Sequence, residues 1–84
     1  MKTIRLTKHA QEQCATRGAT EAEVRQAVEQ GTRETANQGR ELCRYNFPFR
    51  QTWQGRFYAI KQVAPVVKEE ANEIVVITVY TFYF

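Results

Sequence analysis

An α+β fold, with two N-terminal helices followed by an antiparallel sheet of about four strands, is what this 84-residue sequence predicts. Three observations carry the prediction. Thr20-Glu21-Ala22-Glu23 has the residues of a capping box, in which the threonine hydroxyl serves the backbone donor three residues on and the glutamate reaches back. The hydrophobic period changes from helical to alternating at Thr32. From Glu73 almost to the C-terminus the chain is at its most apolar and still alternates, the pattern of a strand packed under helices.

Taken in order, Ile4 and Leu6 alternate with Arg5 and Thr7, which suits a short extended lead-in resting one side on the core. Thr7 is placed to cap a first helix over about residues 8–17. That helix has only Ala10, Cys14 and Ala15 to bury, so tertiary packing must hold it, and Gly18 supplies the left-handed conformation that ends it. A second helix runs from the capping box to Gln30 with Val24, Ala27 and Val28 on its buried stripe, and Gly31 closes it. A first strand is expected near Thr32 to Ala36, a turn at Asn37-Gln38-Gly39, and a second strand from Arg40 to Phe47. Pro48 to Gly55 reads as an irregular aromatic and basic connection. A third strand covers Arg56 to Ala64, with Pro65 ending it or marking an edge. An acidic turn from Lys68 to Asn72 leads into the fourth strand, where Val75, Ile77 and Val79 are expected under the helices. Ile74, Val76, Thr78, Tyr80 and Phe82 fall on the other face. The aromatic tail Thr81-Phe82-Tyr83-Phe84 is expected to fold onto its own core.

Length and a 43% hydrophobic content predict one domain, residues 1–84, with a single core. The longest apolar run, Ile74 to Tyr80, is interrupted by Thr78 and falls well short of the roughly 20 residues of a membrane helix. No apolar stretch of signal-peptide length follows Met1, so a cytoplasmic protein without a membrane partner is expected. Cys14 and Cys43 stand far apart with one histidine for company, which predicts free thiols and no structural metal. The chain has no serine and no aspartate, which excludes a serine triad and the usual aspartate clusters of two-metal nucleases. No cofactor is expected. The net charge of +3 is uneven: residues 32–64 carry six basic and two acidic side chains, a concentration that suits an anionic partner.

His9 is the only histidine and the best candidate for chemistry. On a helix capped at Thr7, His9, Gln13 and Arg17 recur every four residues and share one polar face. Metal-free RNA cleavage by the RNA's own 2′-hydroxyl needs a base, an acid and cations around the phosphate. His9 is the candidate base or acid; Arg17, Arg44 and Lys61 are candidates to hold the phosphate. Thr78 is a candidate to orient it, and Tyr80 to donate a proton or stack on a base. Arg50, Trp53 and Arg56, with Arg44, supply the mix of aromatic and basic groups that binds single-stranded RNA. Because His9 lies on a helix and Thr78 with Tyr80 on the face assigned away from the helices, the two halves meet only at a sheet edge or with that assignment reversed.

Leu6-Thr7-Lys8-His9-Ala10, with Arg17-Gly18 eight residues beyond the histidine, resembles the small bacterial family catalogued as domain of unknown function 4258. The capped second helix and the late strand Ile77-Thr78-Val79-Tyr80 fit it too. This chain carries Gln13 where that family usually has an arginine, and its segment 44–67 looks like a version associated with cyanobacteria. The helix-then-sheet order is similar to that of the RelE and barnase-like ribonuclease toxins. That resemblance implies a metal-independent ribonuclease acting on RNA and paired with an antitoxin. The alternative is a non-catalytic protein- or RNA-binding module using the segment 45–58, or a homodimer formed through the C-terminal strand.

Overall fold

The computed structural model describes residues 2–84 and is α+β. A strand β1 (Thr3–Leu6) comes first, followed by helices α1 (Lys8–Arg17) and α2 (Glu21–Gln30), then β2 (Thr32–Thr35), β3 (Glu41–Trp53), β4 (Arg56–Glu69) and β5 (Glu73–Tyr83). The sheet has five strands in the order β1-β5-β4-β3-β2. The expected four antiparallel strands are present, but the lead-in is a fifth, paired parallel to β5 with Leu6 opposite Val76. The sheet is therefore mixed, and the helices are not the first elements of the chain. Local alternation shows that residues 3–6 are extended; it carries no information about a partner some seventy residues away.

Both helices form where their caps place them. Thr7 Oγ1 accepts from Ala10 N at 3.1 Å, and Gly18 takes φ 76° at the end of α1. The capping box of α2 is closed at both ends, Glu23 N to Thr20 Oγ1 at 3.1 Å and Thr20 N to Glu23 Oε1 at 2.9 Å. Ala10, Val24, Ala27 and Val28 are buried against Cys43, Val63, Val67, Val76 and Val79, all on one face of the sheet. Two layers result, with the opposite face free of helices. Both cysteines are free and buried, and burial pushes both thiols up.

Three irregularities reshape the sheet. The segment 48–53, expected to be irregular, continues β3 with a bulge: Pro48 opposes Ile60 and Gln51 opposes Tyr58, so Phe49 and Arg50 share one place. Arg50 takes φ 50° there. Gln54 and Gly55, at φ 51° and 83°, form the two-residue turn whose hand matches strand twist. Pro65 neither ends β4 nor marks an edge. It is fully buried in the central strand, where the β3 ladder pairs Leu42 with Val66 and then Tyr45 with Val63, lapsing opposite the missing N–H. Finally, Val66 opposes Thr78 while Val67 opposes Val76, which leaves Ile77 as an extra residue in β5. A bulge exchanges the faces of everything beyond it. Val76 thus lies under the helices before the bulge and Val79 after it, so the expected continuous face Val75-Ile77-Val79 is corrected to one that switches at Ile77. Tyr83 folds inward as expected of the tail, whereas Phe82 and Phe84 remain 43% and 57% exposed.

Candidate functional site

The seam between α1 and β5 is built from the residues that end β1. After Leu6 the chain leaves the sheet: Thr7 N donates to Val76 O at 3.1 Å and Thr7 Oγ1 to Ile77 O at 3.2 Å. Thr7 therefore caps α1 and anchors it to the bulge in one step. Two residues on, His9 Nε2 comes within 3.3 Å of Thr78 Oγ1. His9 and Thr78 meet at the sheet edge, just past the bulge at Ile77 that turns Thr78 to the face away from the helices. Beyond the last residue of β1 the edge of β5 has no strand partner, and α1 lies along it, tied on by side-chain bonds. Arg17 Nη1 donates to Val79 O at 3.2 Å, while the Thr81 and Tyr83 hydroxyls donate to Arg17 O at 3.0 and 2.6 Å. Burial pushes the Tyr83 phenol up, which keeps it a donor. The Arg17 guanidinium lies 5.0 Å from the centre of the Tyr80 ring and has no carboxylate partner among the described residues. Gln13, between His9 and Arg17, holds a buried Oε1 without a hydrogen-bond partner.

From this edge the helix-free face opens in cross-strand rows. Thr78, Val66 and Leu42 form the first, and Phe82, Gln62 and Asn46 another. Between them Tyr80 pairs with Ala64, whose small side chain leaves a floor between Tyr80 and Arg44. Arg44 reaches over Phe82, 5.5 Å from its ring centre, donates to Gln62 Oε1 at 2.9 Å and pairs with Glu34. Gln62 Nε2 in turn donates to Asn46 Oδ1 at 2.8 Å. A groove of about 420 Å³ runs over the first rows, lined by Thr78, Tyr80, Leu42 and Val66 and walled by Asn37, Gln38 and Arg40. A second concavity of about 550 Å³ lies between the end of α2 and β1. Its cations Lys2 and Arg33 are already paired with Glu69 and Glu41, so it offers an anion little.

His9 with Thr78 and Arg17 with Tyr80 thus form two pairs along one seam, and Arg44 shares the sheet face of Thr78 and Tyr80 two strands away. Lys61 is not among them. It is buried on the helix side, donating to Gly18 O and Glu23 Oε1, both at 2.9 Å, so its ammonium is held away from a phosphate on the other face. Trp53 stacks on Tyr83 with ring centres 5.2 Å apart and packs over Gly18, where a Cβ would come within 2.8 Å of the indole. Arg50 and Arg56 are exposed on the hairpin arm, Arg56 lying over Tyr58 at 5.9 Å. Phe82, Gln62, Asn46 and Arg40 were not singled out as site residues. The alternation that puts Phe82 beside Tyr80 was their available signal. Among the described residues no three potential ligands come together as a metal site, and no helix is long and apolar enough to cross a membrane. No family model, curated protein or solved structure matches the chain.

Proposed function

We propose that the chain is a metal-independent ribonuclease working at the seam of α1 and β5, in the manner of the helix-then-sheet ribonuclease toxins it resembles. The observation that carries this reading is the approach of His9 Nε2 to the Thr78 hydroxyl beside an Arg17–Tyr80 pair, with Thr78 and Tyr80 lining a groove. A ribose 2′-hydroxyl entering beside Thr78 gives its proton to His9, and its oxygen attacks the adjacent phosphorus. The bond from phosphorus to the 5′-oxygen breaks. Tyr80 gives that oxygen its proton, and the Arg17 guanidinium steadies the phosphate and the phenolate left behind. Thr78 and Tyr80 lie two residues apart on one strand face, about 6.8 Å along the chain, a span that a phosphate can bridge. The products are a 2′,3′-cyclic phosphate and a 5′-hydroxyl, and the proton on His9 returns to Tyr80 through solvent. In a cell such an activity arrests growth, which fits the toxin of a toxin–antitoxin pair.

The test is incubation of the purified protein with unpaired RNA in excess EDTA. Cleavage that persists under chelation and leaves cyclic phosphate ends is the expected result. Intact RNA, or cleavage that needs added divalent metal, contradicts the reading.

A further inference from the structure

Phe82 and Phe84 have no role in the fold that accounts for their exposure. They follow Tyr80 at alternate positions, Phe82 in β5 and Phe84 just beyond it, all three on the helix-free face, and are 43% and 57% exposed. Each ring is set about 6.8 Å from the next along the strand. Phe84 is held in place by reciprocal backbone bonds to Ile60 of 2.8 and 3.1 Å, so this is a fixed end rather than a frayed one. Arg44 lies over one side of Phe82, and the amides of Gln62 and Asn46 continue the same row. The column therefore offers two exposed aromatic rings, one of them backed by the Glu34-paired guanidinium of Arg44, and neutral amide groups, leading away from the His9 edge.

We infer that this column is a stacking platform for unpaired RNA, with bases neighbouring the cleaved bond laid on Phe82 and Phe84; this rests on the ribonuclease reading of the seam. Three features select that occupant. Arg17 beside Tyr80 and Arg40 on the wall of the groove that Tyr80 lines have no carboxylate partner among the described residues, so the Tyr80 end of the column attracts phosphates. Exposed rings on a sheet receive the π-faces of bases, which a duplex keeps stacked inside itself. Gln62 and Asn46 carry both donors and acceptors, suited to base edges rather than to the apolar side of a protein helix. The inference assigns Tyr80 to the chemistry and the two phenylalanines to the hold on the substrate. It also predicts an unpaired strand over a paired one.

The experiment is fluorescence polarisation with a short unpaired 2′-O-methyl oligoribonucleotide, which cannot be cut through its own 2′-oxygen, and with the same strand in a duplex. The wild type is expected to prefer the unpaired strand. Phe82→Ala is expected to weaken it roughly 5- to 100-fold, the range for loss of one base–aromatic stack. Phe82→Tyr retains a stacking ring and is expected to bind close to the wild type, and circular dichroism checks that each variant is folded. Equal affinity for the duplex, or binding indifferent to Phe82→Ala and Phe84→Ala, overturns the platform even if the protein cleaves RNA. Phe82-dependent binding by a protein that never cleaves overturns the ribonuclease reading and leaves the platform standing. A dimer in solution that Phe82→Ala dissociates overturns the RNA assignment and gives the face to a second copy of the chain.

Discussion

The His9→Ala variant is expected to fold as the wild type does and to cleave RNA roughly 10²- to 10⁴-fold more slowly, the usual contribution of a positioned acid–base group. His9 is exposed, and its only side-chain hydrogen bond among the described residues is the 3.3 Å contact with Thr78. Its removal should therefore change stability by no more than about 0.5 kcal/mol. That separation makes the variant informative: matched urea midpoints with a collapsed rate assign His9 to the chemistry. Cleavage within threefold of wild type would remove it from the mechanism, and the Arg17–Tyr80 pair would have no base beside it. Expression offers a parallel readout, since growth arrest by the wild type should be relieved by the same substitution.

The largest effect on stability is expected at Lys61. Its ammonium ties three elements together, reaching from β4 to the carbonyl that ends α1 at Gly18 and to Glu23, the carboxylate that caps α2. The lysine side chain is 8% exposed and that of Glu23 22%, so Lys61→Ala leaves a largely buried carboxylate and an unmet carbonyl. Losing one partner of such a pair costs about 3 kcal/mol or more, out of roughly 5–15 kcal/mol for a small domain. Urea denaturation should show the loss as a markedly lower midpoint. Adding Glu23→Gln to Lys61→Met should recover part of it, because the stranded charge is then gone. A loss below about 1 kcal/mol for Lys61→Ala would mean that the pair contributes nothing beyond solvated equivalents.

How far the chain could be read without its structure follows from which features are local. Caps are local, and Thr7, Gly18 and the Thr20–Glu23 box mark both helices at the right places. Periodicity is local, and it locates the starts of β2 to β5, while the ends of β3 and β4 lie beyond the expected Phe47 and Ala64. Register is not. Nothing near Thr3 announces a parallel partner at Glu73, and nothing near Ile77 announces a bulge that exchanges the faces of β5. Pro65 misleads because a proline in a central strand is tolerated only where the neighbouring ladder lapses, a fact about Cys43 and Arg44 opposite. The same limit governs the site. Helical spacing puts His9, Gln13 and Arg17 on one face, but only the seating of α1 along the edge of β5 decides that Thr78 meets His9. Lys61 and Trp53 have the residue types of RNA ligands, while their partners, Glu23 and Tyr83, lie far away in the sequence.

The measurement that bears most directly on the whole account is amide chemical-shift mapping of the labelled protein titrated with the uncleavable unpaired RNA strand. Perturbations concentrated in residues 9–17 and 78–84, spreading to Arg44 and Gln62 across the open face, are the predicted result. Perturbations confined to the concavity of Lys2, Val28 and Ile74, or to the arm around Trp53 with β5 silent, would contradict it.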